Sequence, residues 1–109
     1  MLYLFLEKFM RTRLNEISQQ IADIKVALAE IRDMRPGNLN QQFRKPKEKK
    51  GGYYQLNYTH KNKTRTEYVR QGMIETIRSE ISEYQKFRAL CDKWIELSIE
   101  ASKRRVKES

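Results

Sequence analysis

The sequence has little of what disulfide-stabilised domains and metalloproteins need. Its 109 residues include one cysteine, one histidine, two prolines and four glycines. Cys91 alone cannot form an intrachain disulfide, and one cysteine with one histidine cannot complete a tetrahedral zinc site. We therefore expect a reduced, cytoplasmic setting, no metal and no cofactor.

Catalytic motifs are missing as well. The chain has no glycine loop of the kind that cradles a phosphate and no cluster of His, Cys and Asp, and its acidic residues fall singly on helix faces. We expect a protein that is not an enzyme, and a nuclease built from scattered carboxylates is the catalytic class that this leaves open. Because no apolar run approaches about 18 to 20 residues, we expect no membrane partner.

Positive charge is what the sequence has in excess, and it is concentrated in the middle third. The formal net charge is +9, and residues 35–70 hold ten Lys or Arg against Glu48 and Glu67. Residues 1–34 have five charges of each sign, and residues 71–109 have eight basic and seven acidic residues. A merely solvated surface would spread the excess more evenly, so the middle third is the expected point of contact with a polyanion.

The first third, residues 1–34, is predicted to be the first helix of a coiled coil. Its apolar residues recur alternately three and four positions apart, as in an a/d stripe; they are Leu14, Ile17, Ile21, Ile24, Leu28 and Ile31. Pro36 disfavours a helical conformation at Arg35, and Gly37 follows. The helix is therefore expected to end near Met34.

The last third, residues 71–109, is predicted to be a second long helix carrying two adjacent apolar stripes. One stripe includes Cys91, Ile95 and Ser98, and the other holds Phe87, Leu90, Trp94, Leu97 and Ala101. Two stripes side by side indicate that this helix is covered on more than one side, by the first helix and by another subunit. The predicted oligomer interface consists of Leu14, Ile17, Ile21, Ile24, Leu28, Phe87, Leu90, Trp94 and Leu97.

Between the helices we predict a mobile basic loop over residues 35–52 and a β-hairpin over residues 53–70. The loop is rich in cations and poor in apolar anchors. In the hairpin, apolar and polar residues alternate, and Asn62 suits a left-handed turn position. One hairpin face is expected to pack on the helices, because a two-stranded ribbon is only marginally stable by itself.

A basic hairpin that carries tyrosines has a direct use in binding nucleic acid. A ribbon fits the major groove, cations neutralise phosphates, and Thr, Asn and Gln can bond to base edges. The same tyrosines could instead stack on unpaired bases, so DNA and RNA both stay open, with DNA preferred. The predicted nucleic-acid-binding residues are Arg44, Lys45, Lys47, Lys49, Lys50, Tyr53, Lys61, Lys63, Arg65 and Arg70.

Three phrases, "MRPGNLNQQF", "GGYYQLNYTHKNKTRTEYVR" and "YQKFRALCDKWIELSIEASKRR", together resemble a family of small uncharacterised bacterial and archaeal proteins. Members carry an MRPG turn, a YY-L-YT hairpin and an IELSIE helix, and some are encoded near transposases. The resemblance covers residues 34–105 and implies a mobile-element or defence context. The family's cysteines, which suggest a metal-binding loop, are absent from residues 38–50 here, and lysines take their place.

Together these patterns predict a mainly α fold with a small β-hairpin: two long antiparallel helices forming a coiled coil, with a basic loop and hairpin inserted between them. The predicted function is that of a non-enzymatic nucleic-acid-binding accessory protein, acting as a homodimer and assisting a larger nucleic-acid enzyme. The alternative is an adaptor or inhibitor that docks on an acidic or nucleic-acid-binding surface of such an enzyme. A purely structural coiled-coil module is a third possibility.

Overall fold

The computed structural model describes residues 2–108, with side chains described for residues 8, 9 and 11–107. Helix α1 covers Leu2–Ala29 and helix α2 covers Ile74–Glu108. The chain divides into two compact units, one formed by α1 with the part of α2 that starts at Phe87, the other by Ile31–Lys86. Neither helix, over the residues described, is long and apolar enough to cross a membrane.

A three-stranded antiparallel sheet lies between the helices in the sequence, in the order β1-β2-β3. Its strands are β1 (Asn38–Lys45), β2 (Lys50–His60) and β3 (Lys63–Val69). The predicted fold class, a mainly α coiled coil of two helices with a small hairpin, is therefore wrong, and the fold is mixed α and β. The segment predicted as a mobile basic loop contains β1, which pairs with β2 along nearly its whole length.

The first unit is held together by an apolar core between α1 and the second half of α2. Its buried residues are Ile17, Ile24, Leu97 and Ala101, and the half-buried residues around them are Leu14, Ile21, Leu28, Leu90 and Trp94. These include every predicted oligomer-interface residue except Phe87, which is half-buried. Because they contact one another within a single chain, the predicted homodimer would need a different surface.

One carboxylate links the two helices of this unit. Glu100 on α2 accepts two hydrogen bonds from the Arg13 guanidinium on α1, at 2.7 and 2.8 Å, and one from Arg104 at 2.9 Å. The hydrogen bonds from Arg13, followed by that from Arg104, lower the pKa of Glu100 from 4.5 to about 2. The same contacts raise the pKa of Arg13 above its ordinary value.

This arrangement makes the stability of the first unit depend on pH on the acid side. A carboxylate with a lowered pKa stabilises the folded state fully above its ordinary pKa, and this contribution is lost as pH falls towards about 2. Glu100→Gln should therefore lower the melting temperature by a few degrees at pH 7, and the difference from wild type should shrink between pH 4.5 and about 2. Thermal melts followed by the fluorescence of Trp94 measure this, and a pH-independent difference would contradict it. Glu30→Gln, at an exposed position just after α1 in the same unit, is the control.

The second unit has its own core beneath the sheet. Leu56, Val69, Ile74 and Ile77 are buried there, and Leu39, Tyr54, Tyr58 and Ile81 pack against them. The first turns of α2 thus cover one face of the sheet. Side chains of a strand alternate between its two faces, so the other face is turned away from this core.

Helix α1 ends at Ala29, five residues before the predicted position. The Arg32 N–H donates a hydrogen bond of 2.9 Å to the carboxylate of Glu83, which is 4% exposed. This bond, and then the bond from Lys86, lower the pKa of Glu83. The Arg35 N–H donates to the Glu80 carbonyl at 3.1 Å. The backbone N–H groups of residues beyond Ala29 therefore donate hydrogen bonds to residues of α2 and do not extend α1.

Gly37 allows the chain to pass close to the central strand, β2. Its φ angle is +133°, and a Cβ atom there would lie 2.8 Å from both the Asn57 carbonyl oxygen and a methyl carbon of Leu56. A backbone oxygen cannot give way as a flexible side-chain end can, so no other residue fits at this point. The MRPG turn is thus explained by close packing against β2.

Candidate nucleic-acid interface

The face of the sheet that is turned away from the core, here called the outer sheet face, follows from the strand register. Leu56 and Val69 point to the core, so their neighbours along each strand point outward. Asn40, Gln55 and Tyr68 form one outward row across the sheet, and Asn38, Asn57 and Thr66 form another. The outer sheet face consists of Asn38, Asn40, Gln42, Arg44, Tyr53, Gln55, Asn57, Thr59, Thr64, Thr66 and Tyr68.

Hydrogen bonds between neighbouring strands orient part of this face. The Thr66 hydroxyl donates to the Asn57 side-chain oxygen at 2.7 Å, and the Thr59 and Thr64 hydroxyls lie 2.9 Å apart. With its oxygen engaged, Asn57 presents its NH₂ group as a donor. The centre of the face therefore contains one amide, Asn57, and three hydroxyls that these hydrogen bonds orient.

Two tyrosines and an arginine form the aromatic part of the face. The rings of Tyr53 and Tyr68 have centroids 6.3 Å apart and are tilted by 39°. The Arg44 guanidinium lies over the Tyr53 ring, 5.6 Å from its centroid. Tyr68 is 63% exposed, which is unusual for an aromatic side chain in a sheet. Base edges, sugars or unpaired bases could contact these rings.

No acidic side chain belongs to the outer sheet face. The single acidic residue in the three strands, Glu67, lies opposite Leu56 and so points to the core side. There it contacts Arg35 at 3.0 Å and accepts a hydrogen bond of 3.1 Å from the Tyr58 hydroxyl. A polyanion that approaches the outer sheet face therefore meets one positive charge, Arg44, and no negative charge.

The other tyrosines of the predicted hairpin have structural contacts. Tyr54 and Tyr58 are half-buried against the core. Arg78 lies over the Tyr54 ring, at 5.8 Å, and Arg35 lies over the Tyr58 ring, at 5.0 Å. Of the four tyrosines in the sheet, Tyr53 and Tyr68 are thus the two that face outward.

The structure separates the predicted basic residues into two groups at opposite ends of β2. The β1–β2 end carries Arg44, Lys45, Lys47, Lys49 and Lys50, and the β2–β3 end carries Lys61, Lys63 and Arg65. Arg70 lies one residue beyond β3. Because β2 has 11 residues, the two ends are about 33 Å apart. They do not form a single basic patch.

The turns at the two ends are built differently. At the β2–β3 end, Lys61 and Asn62 have φ angles of 50° and 63°, as in the two-residue turns that match the twist of a hairpin. The predicted left-handed conformation of Asn62 is thereby confirmed. At the β1–β2 end the 3₁₀ turn Pro46–Glu48 is followed by Lys49, with φ of 51°, and Gly51, with φ of 68°. Both turns hold lysines at exposed positions.

Residues that could serve catalysis or metal binding are not gathered at this sheet. Over the described part of the chain, no three His, Cys, Asp or Glu side chains lie together as metal ligands would. His60 is exposed next to the β2–β3 turn, and Cys91 lies on α2. What the sheet offers is a surface for hydrogen bonding and stacking.

Comparison with known proteins places the chain in a family. A family model described as a domain of unknown function, DUF6788, matches residues 8–79. The chain belongs to the DUF6788 family. No curated protein and no solved structure matches it. The resemblance to an uncharacterised family is confirmed in this general form.

The DUF6788 match covers most of α1, the complete sheet and the beginning of α2. Every residue of the outer sheet face and of the two basic ends therefore lies in the part shared with the DUF6788 family. The second half of α2, which includes the IELSIE phrase, lies outside the matched range. The sheet is thus the better guide to a function common to DUF6788 proteins.

Several residues of the outer sheet face were not among those predicted from the sequence. Tyr68, Gln55 and Asn57 follow from the alternation of the hairpin once the buried face is known. The outward positions of Asn40 and Gln42 could not be inferred from the sequence, because β1 was predicted as a loop. The signal for β1 was weak but present: Leu39 and Phe43 are four residues apart, so they lie on the same face of a strand.

Proposed function

We propose that this protein binds nucleic acid through the outer sheet face, with duplex DNA as the preferred ligand. The observation that carries the proposal is the composition of that face: amides and hydroxyls, two outward tyrosines, one arginine and no acidic side chain. A face that served only to keep the sheet soluble would be expected to carry charges of both signs.

The dimensions of the sheet support a major-groove contact. Strands are spaced about 4.8 Å apart, so the edge strands of this sheet are about 10 Å apart. The major groove of B-DNA is about 12 Å wide and admits a two-stranded ribbon, so two neighbouring strands of this sheet would enter it. Strands are known to read this groove in other proteins. Asn and Gln side chains can bond in pairs to adenine there, and Arg can bond to guanine.

The two basic ends complete the proposed site. Lysines at the two exposed turns, Lys47, Lys49 and Lys61 among them, would neutralise phosphates and release counterions, which supplies affinity without reading sequence. The alternation of β3 turns Lys63 and Arg65 to the side of Glu67, so their long side chains would reach phosphates from the edge of the outer sheet face. The outer sheet face between the two ends would contact the bases. This division of roles follows the usual one, in which phosphate contacts position the protein and base contacts specify the site.

We propose a non-enzymatic, accessory role for this binding. The outer sheet face has hydrogen-bonding and aromatic groups but no cluster that could activate water or hold a metal. The sequence's resemblance to proteins encoded near transposases supports a mobile-element or defence setting, in which the protein would assist a larger nucleic-acid enzyme on its substrate.

The proposal is tested by titrating the purified protein against labelled duplex DNA, single-stranded DNA and RNA of equal length at several salt concentrations. We expect the tightest binding to duplex DNA, with an affinity that falls steeply as salt increases. If none of the three binds at about 50 mM salt and micromolar protein, the proposal is wrong. The alternative of an adaptor for an acidic protein surface would then take its place.

Tyr68→Ala tests the outer sheet face in the same assay. We expect the affinity to fall roughly tenfold to a hundredfold, because an aromatic contact to a base is lost. The salt dependence should not change, since the tyrosine carries no charge. Phe9→Ala is the matched control: Phe9 on α1 is 61% exposed, as against 63% for Tyr68.

Tyr68→Phe distinguishes the ways in which the ring could act. Phenylalanine keeps the stacking surface and removes the hydroxyl, so binding by stacking should persist and binding by the hydroxyl should weaken. Equal affinities for wild type, Tyr68→Ala and Phe9→Ala would exclude the outer sheet face as the binding surface.

A further inference from the structure

Helix α2 has a second apolar surface beside the one that packs on α1, and Trp94 borders both. It is lined by Cys91, Trp94, Ile95, Ser98, Ile99, Ser102 and Lys103. Ile95 is 57% exposed and Ile99 is 51% exposed, although residues of this type are usually buried. The small side chains of Ser98 and Ser102 lie between larger ones, so another helix could approach closely.

A row of charges borders this surface, and its pattern changes sign along the helix. Asp92, Glu96, Lys103 and Lys107 are spaced by four, seven and four residues, so they lie on one side of α2. The acidic pair precedes the midpoint of the row and the basic pair follows it. Within the part of the chain that the structure describes, neither Glu96 nor Lys103 has an ion-pair partner.

We infer that a second copy of this chain packs on this surface, with the two α2 helices antiparallel around a two-fold axis near residues 99 and 100. In that arrangement Glu96 faces the partner subunit's Lys103, and Asp92 faces the partner subunit's Lys107. The midpoint between residues 96 and 103 is also the midpoint between residues 92 and 107. A single two-fold axis at that point therefore brings both pairs of opposite charges together. A two-fold interface is self-complementary in this way.

The charge row also selects the direction of the pairing. In a parallel pair, the flank of one helix that carries this row meets the other flank of its partner, so Glu96 and Lys103 would not face each other. In the antiparallel pair every level combines opposite signs. The interface covers Ile95 and Ile99, which the single chain leaves exposed, and it leaves the α1 core undisturbed.

This inference stands apart from nucleic-acid binding. The surface lies entirely between residues 91 and 107 of α2, whereas the outer sheet face lies in the other compact unit. Either proposal can therefore fail without the other. If both hold, each dimer carries two outer sheet faces, and linked contacts raise the overall affinity for a long duplex.

The first measurement is the mass of the wild-type protein in solution by sedimentation velocity at low salt. We expect twice the chain mass of 13.2 kDa at about 100 μM protein, a concentration that populates even a dimer with a micromolar Kd. A monomer at that concentration would overturn the inference.

Charge reversals at Glu96 and Lys103 test the register. Glu96→Lys places like charges opposite each other at both symmetric contacts, and so does Lys103→Glu; each should raise the dimer Kd about tenfold or more. The double variant, Glu96→Lys with Lys103→Glu, should restore wild-type dimerisation, because each contact again combines a lysine with a glutamate. An equimolar mixture of the two single variants should form heterodimers, since all cross-contacts in it are attractive.

A matched control is available on the same helix. Lys93 is exposed and points away from the proposed interface, so Lys93→Glu changes the net charge as Lys103→Glu does and should leave the dimer intact. The inference is overturned if Lys93→Glu weakens the dimer as much as Lys103→Glu. It is overturned equally if the double variant is weaker than either single one.

Discussion

Replacing Leu56 by alanine is expected to lower the free energy of unfolding of the sheet unit by about 3 to 4 kcal/mol. Leu56 is 0% exposed and lies on the central strand, in the middle of the core beneath the sheet. Truncation removes its apolar contacts and leaves a cavity. Strand β2, which carries Leu56, and helix α2, which packs against it, are both regular elements, so the cavity can collapse only partly.

The chain contains probes that report on the two units separately. Trp94, the single tryptophan, packs in the α1 core. Four of the six tyrosines are in the sheet: Tyr53, Tyr54, Tyr58 and Tyr68. Leu56→Ala should therefore shift the urea midpoint followed by near-ultraviolet tyrosine dichroism far more than the midpoint followed by tryptophan fluorescence.

Two further variants serve as controls for Leu56→Ala. Leu97→Ala removes a leucine of similar burial, 2% exposed, from the other core, and it should affect the tryptophan signal more. Thr64→Ala, at an exposed position of the outer sheet face, should change stability by only a few tenths of a kcal/mol. A loss below about 1 kcal/mol for Leu56→Ala would mean that α2 does not cover the sheet as the structure shows.

The helices were largely predictable because their signals are local. The apolar periodicity of both helices and the absence of proline and glycine after Met73 are read within a few turns. The end of α1 was not predictable in this way, because Pro36 shows only that the helix ends somewhere before it. The actual end depends on Glu83 and Glu80, which accept the backbone N–H groups of Arg32 and Arg35 from far along the sequence.

Strand β1 could not be predicted from its own residues. Asn and Gln are poor strand formers, and the segment continues into lysines and a proline, which is the composition of a loop. Its strand conformation arises from pairing with β2 and from the place of Leu39 opposite the buried Leu56. That partner lies 17 residues further along the chain, so the information is not local.

The candidate site was half predictable for a related reason. Alternation in the hairpin separates Tyr53 from Tyr54, but only the covered core shows which of them faces outward. The sequence itself places the positive charge in the middle third, yet its division between the two ends of the sheet depends on the strand order. Two turns that are close in sequence come to lie at opposite ends of one strand.

This division leads to the second large effect that we expect. Replacing Lys45, Lys47, Lys49 and Lys50 by alanine should weaken binding to duplex DNA by about two to three orders of magnitude at ~100 mM salt. Each lysine that no longer neutralises a phosphate lowers the slope of log affinity against log salt by roughly 0.9, so the slope should fall by up to about 3 to 4. Salt-dependent titration measures both quantities.

The control removes the same charge from elsewhere. Lys8, Lys25, Arg88 and Lys93 are exposed and lie on the helices, and replacing these four by alanine leaves the sheet intact. We expect the salt slope of this variant to stay within about one unit of the wild-type slope. Equal losses in the two quadruple variants would show that binding follows net charge and not the sheet.

The β2–β3 end should act independently of the β1–β2 end. The ends are about 33 Å apart, several times the Debye length of about 10 Å at 0.1 M salt, so their charges hardly interact. Replacing Lys61, Lys63 and Arg65 by alanine should therefore reduce binding by a factor that multiplies with the loss at the first end. A combined variant measures this directly.

The length of the duplex then distinguishes one binding surface from two separate ones. A distance of about 33 Å corresponds to roughly ten base pairs of B-DNA. On a duplex of about six base pairs only one end at a time can reach a phosphate, so removing the second end should have little effect there. On duplexes longer than about ten base pairs both ends should contribute, and the salt slope should increase with length across this range. If each end instead contributes equally at every length, the two ends bind separately, and the outer sheet face between them is not the surface that reads the bases.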